Sequence, residues 1–145
     1  MPSRTVITHS AEETMALGRQ LALELIPPTL VMLTGDLGAG KTTLIKGIAE
    51  GFNAALAENV TSPTFTLIHE YRGPSVSVFH IDLYRLDTQR ELDTLALDDL
   101  HSDDAVILIE WGEKFEQIQR DSEVKIKIDR VNDTERMVTI GYQRN

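Results

Sequence analysis

Three groups of residues in this sequence have the types and spacing that phosphate chemistry requires. Gly35-Asp36-Leu37-Gly38-Ala39-Gly40-Lys41-Thr42 fills every fixed position of the pattern G-x-x-x-x-G-K-[ST]. Glycines allow a backbone to wrap closely around phosphates with its N–H groups pointing inward, and a helix that follows adds the positive end of its dipole. Gly38, Ala39, Gly40, Lys41, Thr42 and Thr43 are therefore the expected phosphate cradle. Lys41 is the expected contact to the β- and γ-phosphates, the Thr42 hydroxyl a magnesium ligand, and Thr43 a donor to the α-phosphate. The pattern arises by accident in about one chain of this length in two hundred, with Gly at ~7% of residues, so a fortuitous turn is the weaker reading.

A phosphate loop of this kind needs an acidic residue on a neighbouring strand to hold magnesium or its waters. Glu110 ends the apolar run Val106-Ile107-Leu108-Ile109, and Asp82 closes Phe79-His80-Ile81. Glu110 is favoured for the metal, with Asp82 orienting water or facing the γ-phosphate. Lys41, Asp82 and Glu110 form the expected catalytic set, and Thr42 and Glu110 the expected metal ligands. His80 reads as a core or edge histidine, and Trp111, the single tryptophan, as a packing or interface anchor. Arg85 and Arg136 are either contacts to phosphate or adenine, or surface charges. No N-K-x-D guanine-reading motif occurs, which favours ATP over GTP.

The elements that must position these residues alternate between helix and strand. Ser10-Ala11-Glu12-Glu13 is a capping-box pattern opening a helix with Met15, Leu17, Leu21, Ala22 and Leu25 on its apolar face, closed by Pro27-Pro28. Thr29 to Thr34 reads as a strand buried on both faces, and a helix is expected from about Lys41 to Phe52. Thr61 to Phe65 contains Pro63 and reads as irregular or edge, before a strand near Thr66 to Tyr71. Val76 to Leu83 and Ala105 to Trp111 read as strands, and Glu91 to Leu100 as a short helix. Val124, Ile126 and Ile128 alternate with lysines, and Val138, Ile140 and Tyr142 repeat the period beyond Asn132-Asp133, predicting an antiparallel hairpin. The fold class is α/β: a three-layer P-loop NTPase-like arrangement whose mixed sheet has parallel central and antiparallel outer strands, with residues 1–145 as one domain.

Composition narrows the function classes. The 145 residues are 41% hydrophobic and 26% charged, enough for one core. There is no cysteine, so disulfides and thiolate metal sites are excluded. No apolar run approaches the ~18 residues of a membrane span, and the first residues lack a signal pattern, so a cytoplasmic protein is expected. A net charge of −9 argues against direct nucleic-acid binding, which relies on clustered Lys and Arg.

Four segments in this order, GDLGAGKTT (Gly35 to Thr43), SPTFTL (Ser62 to Leu67), HIDLYRL (His80 to Leu86) and LIEW (Leu108 to Trp111), resemble the bacterial TsaE family, also known as YjeE. Glu12 to Thr14 and Glu135-Arg136 also look like family positions, so the resemblance covers nearly the whole chain. It implies a small magnesium-dependent ATPase of tRNA threonylcarbamoyladenosine biosynthesis that works with TsaD and TsaB. That assembly modifies the adenosine beside the anticodon in tRNAs reading codons that begin with A. In this picture the ATPase resets or regulates its partners, and meets tRNA only through them. The resemblance also implies Lys41 as the phosphate lysine, Thr42 as the magnesium hydroxyl, Glu110 as the metal-side acid and Asp82 as a second acid required for activity. Ser62 to Phe65 and Tyr84-Arg85 would form switch-like surfaces. Gly112 departs from the family, where proline often follows E-W, and is expected to alter only the local turn. Two other readings of the residues stay open: a small-molecule kinase with Asp82 as base, although no Arg-rich lid is evident, and a nucleotide-gated binding module with negligible hydrolysis.

Overall fold

The computed structural model describes residues 3–36, 39–56, 59–60 and 68–143. Among these, seven strands form one sheet in the order β1-β7-β6-β2-β5-β4-β3. β2 (Thr29–Thr34) lies at its centre, parallel to β5 (Ala105–Glu110) on one side and to β6 (Val124–Arg130) on the other. β4 (Ser77–Asp82) extends the parallel set beyond β5, and β3 (Ile68–Arg72) closes that edge antiparallel. β7 (Arg136–Tyr142) and β1 (Ser3–Thr8) continue antiparallel from β6 to the opposite edge. The expected mixed sheet is present, with the hairpin joined to the parallel set through β6.

Each face of the sheet is covered. α1 (Ala11–Ala22) and α2 (Lys41–Gly51) pack on one face over Val31, Leu33, Val78, Val106, Leu108, Ile126 and Ile140. On the other face α3 (Gln89–Asp93) and α4 (Glu116–Asp121) contribute Leu92 and Ile118 to a cluster with Met32, Phe79, Ile81, Ile107 and Ile109. Alternate residues of a strand point to opposite faces. The nearly unbroken apolar runs of β2 and β5 are therefore needed to feed both clusters.

α1 and α2 approach backbone to backbone. A Cβ on Gly47 would lie 2.1 Å from the Met15 carbonyl oxygen, and one on Gly18 2.4 Å from that of Leu44. Only glycine permits this crossing, which seats α2 closely against α1.

Several local expectations are corrected. Ser10 caps α1 by accepting from the Glu13 N–H at 3.1 Å, but Glu13 reaches back to the His9 N–H, one residue before the cap. α1 ends at Ala22, before Pro27, as the Leu23 N–H turns back to Gln20 and those of Glu24 and Leu25 to Leu21. Leu25 is buried from beyond the helix. The helix expected over Glu91 to Leu100 splits, because Ala96 adopts left-handed φ +49° between α3 and a 3₁₀ turn at Leu97–Leu100. β1 and α4 have no counterpart among the expected elements. The segment Thr61 to Phe65 lies outside the described residues.

Candidate functional site

The β2–α2 connection places the phosphate loop at the carboxyl ends of the parallel strands. Gly40 occupies the N-cap of α2 with φ +108°, a conformation that glycine reaches without strain. No side chain caps the helix and its first turn holds no acidic residue, so its positive end is open to an anion. Gly38 of the expected cradle and Leu37 before it lie outside the described residues. Ala39 is buried, and its carbonyl accepts from Arg136 Nε at 2.9 Å. The Arg136 Nη1 group also donates to the carbonyls of Asn132 and Glu135, at 2.8 and 2.9 Å. Arg136 thus ties the start of β7 to the phosphate loop, and its guanidinium is more than a surface charge. Arg85 is exposed.

Lys41, Glu110 and Asp82 are brought together. Asp82 and Glu110 face each other directly in the β4–β5 register, and Glu110 is opposite Leu33 of β2. Lys41 and Glu110 are each about 5% exposed, and Lys41 Nζ lies 3.8 Å from Glu110 Oε1. The ammonium also sits 4.4 Å above the centre of the Trp111 ring, a cation–π distance. It has no hydrogen-bond partner among the described residues, although it is buried. A buried ammonium with unpaired donors is costly, and a phosphate oxygen would relieve that cost. Thr42 and Thr43, on the first turn of α2, are half-buried.

Asp82 is half-buried, and its Oδ1 accepts from the Tyr84 N–H at 2.9 Å. Burial pushes its carboxyl above the ordinary range, and the neighbouring Glu110 charge adds to the rise. The Tyr84 N–H, His80 and Lys41 act in the opposite direction. Two acidic groups side by side thus have different surroundings: Glu110 is sealed beside a cation, and Asp82 lies nearer the solvent.

The donors around Lys41 suit a hard cation. Thr42 offers a hydroxyl and Glu110 a carboxylate, while no group of three or more His, Cys, Asp or Glu is placed to hold a metal ion among the described residues. Magnesium takes such a sparse set, because it keeps waters and substrate phosphates in its shell. Beside the loop, a cavity of about 310 Å³ is lined by Ser10, Ala11, Thr14, Gly40, Thr43, Asp133, Thr134 and Arg136. A second cavity, of about 620 Å³, lies on the opposite face near Leu97, His101 and Ile118, and includes neither the phosphate loop nor its acidic partners.

Two contributions exceed what the sequence implied. His80 is fully buried and its Nε2 lies 2.6 Å from Glu110 Oε2. Trp111, besides packing 5.0 Å from the Tyr84 ring, forms the floor beneath Lys41. Their positions two residues before Asp82 and one after Glu110 were the available signals. Gly112 also matters beyond its turn: a Cβ there would meet Ile118 Cγ2 at 2.5 Å and Ile109 Cγ2 at 3.1 Å.

Comparison with known proteins shows the family of the chain. The family model described as "Threonylcarbamoyl adenosine biosynthesis protein TsaE" matches residues 8–138. The chain is 39% identical over 132 residues to the TsaE protein of Bacillus subtilis, covering 91% of this chain and 81% of the relative. It is 44% identical over 126 residues to that of Streptomyces coelicolor, covering 81% and 80%. The crystal structure of Bacillus subtilis YdiB superposes with a TM-score of 0.74 at 32% identity, over 97% of this chain and 86% of that one. The chain belongs to the TsaE family of tRNA threonylcarbamoyladenosine biosynthesis.

Proposed function

We propose that this protein is a magnesium-dependent ATPase that resets or regulates a TsaD–TsaB assembly during threonylcarbamoylation of tRNA. The observation that carries the reading is Lys41: a buried ammonium with no hydrogen-bond partner among the described residues, facing Glu110 at the open end of α2. The Lys41 ammonium binds the β- and γ-phosphate oxygens, and the N-terminus of α2 supports the remaining phosphate charge. The nucleoside occupies the neighbouring cavity between Ser10, Thr43 and Arg136. Thr42 and Glu110 hold magnesium, which when bound neutralises charge on the transferring phosphate. Asp82, with its carboxyl held up by burial, orients the attacking water.

Regulation of partner proteins fits the surface better than transfer to a small acceptor. The net charge of −9 disfavours independent tRNA binding, so the nucleic acid is met through the assembly. The exposed Tyr84 and Arg85 lie two and three residues after Asp82, where a change at the nucleotide would reach a docked partner. No helix among the described residues is long and apolar enough to cross a membrane.

Reconstituted TsaD–TsaB should need this protein and ATP for repeated rounds of tRNA modification. Equal multiple turnover without it would sink the proposal. A metabolite that becomes phosphorylated in step with ADP release would instead identify a kinase. In the same assay Glu110→Ala should weaken magnesium-dependent hydrolysis more than nucleotide binding, and normal hydrolysis would move the metal role to Asp82.

A further inference from the structure

His80 is the one fully buried ionisable side chain among the described residues, and the proposed ATPase chemistry does not use it. It projects from β4 toward the α1–α2 face, between His69 of β3 and Leu108 of β5 in the register. Its imidazole meets the His69 ring edge-on at 6.5 Å. Glu110 lies two residues beyond Leu108 on the same face of β5, diagonally across from His80, and the bond from Nε2 to Glu110 Oε2 spans that diagonal at 2.6 Å.

The other ring nitrogen fixes how that bond must be read. Nδ1 is buried and has no hydrogen-bond partner among the described residues. A histidine kept only for packing gains nothing from this position, because an unpaired buried nitrogen costs free energy that an apolar side chain would avoid. The close approach of Nε2 to a carboxylate oxygen requires a proton on Nε2, so the imidazole donates to Glu110 Oε2. Glu110 would otherwise be a three-torsion side chain at the end of a strand. Pinned through Oε2, it turns Oε1 toward Lys41, yet at 3.8 Å, beyond hydrogen-bond reach. Lys41 therefore keeps its donors available, and Oε1 is not consumed by a tight ion pair.

We propose that His80 is a positioning residue that pins the Glu110 carboxylate so that its second oxygen is presented to magnesium. This rests on the proposed metal role of Glu110. Carboxylates that ligate metals are themselves held by outer hydrogen bonds, and losing such a partner costs ~10–100-fold in metal affinity.

The test is a magnesium titration of the binding of a fluorescent, non-hydrolysable ATP analogue, with a urea unfolding curve for each protein. His80→Leu removes the donor and fills the space. His80→Asn is polar but falls short of Glu110, and His80→Gln carries an N–H about as far as Nε2. The magnesium concentration for half-maximal binding should rise about 10–100-fold in the leucine and asparagine variants. It should return to within about threefold of wild type in the glutamine variant, whatever their urea midpoints. Wild-type magnesium dependence in a folded leucine or asparagine variant overturns the inference. So does an equal shift in all three variants, which would mark a merely structural role. If wild-type binding itself ignores magnesium, the metal reading of Glu110 fails first and this inference falls with it.

Discussion

The two faces of the sheet are built for different purposes. On the α1–α2 face the helices touch through Gly18 and Gly47, and Lys41, His80 and Glu110 are buried beside the apolar cluster. On the α3–α4 face short helices and 3₁₀ turns pack through Leu86, Leu92, Phe115 and Ile118, and no ionisable side chain is buried there among the described residues. The first face loses stability to charges held away from water and offsets the loss through close helix contact. The second closes the core and meets the site at Trp111, the floor beneath Lys41. Buried charge beside the tightest packing is the pattern that functional sites show, and the proposed function gives this charge a phosphate to bind.

The sharpest way to break this contrast is to remove the charge itself. Lys41→Ala should lower ATP affinity by about a hundredfold, the worth of two charge-assisted hydrogen bonds of ~1.5 kcal/mol each. Isothermal titration on a variant with native circular dichroism reads it directly. Unchanged affinity would mean that Lys41 is only a core residue snorkelling over Trp111.

The next effect tests the helix contact. Gly47→Ala places a Cβ against the Met15 carbonyl, so α1 and α2 must part. The strain of ~3 kcal/mol is partly offset by the better helix propensity of alanine, ~1 kcal/mol, leaving about 2 kcal/mol of lost stability. Because α2 carries the loop, ATP affinity should fall as well, by about tenfold. Leu92→Ala on the other face should cost a comparable ~2–3 kcal/mol, with affinity intact. Chemical denaturation paired with nucleotide titration separates the two, and equal affinity loss in both variants would erase the distinction between the faces.

Much of the α1–α2 face was legible in advance. β2 and β5 announce themselves as apolar runs, and the hairpin of β6 and β7 by alternation over Val124 to Ile128 and again over Val138 to Tyr142. The glycine spacing before Lys41 marks a turn that few other sequences could make. β1 was hidden because SRTVIT is an edge strand with largely exposed side chains and no alternating apolar set. α4 was hidden because Ile118 alone among its six residues is buried. Ala96 carries no turn signal, so the break between α3 and the following 3₁₀ turn could not be read. Asp82 and Glu110 were recognisable singly, as strand-end carboxylates. Their direct opposition, and the diagonal from His80, follow from the β4–β5 register, which depends on strands brought together only by folding.

The smallest effect concerns Asp82, and its sign is informative. Its folded carboxyl is raised chiefly by burial, so the native protein holds that proton to higher pH than the unfolded chain does. As pH rises from about 3.9, the ordinary Asp value, through the folded value, this group removes stability; below that range it removes none. Asp82→Asn deletes the charge while keeping the shape. It should raise the urea midpoint slightly at neutral pH, with the gain shrinking toward zero in acid, and should lower ATP hydrolysis. A variant both more stable and less active would place the cost of an ionised Asp82 on the side of function. A less stable variant at neutral pH would show that the Tyr84 N–H and Lys41 outweigh burial, making Asp82 part of the scaffold that holds the face together.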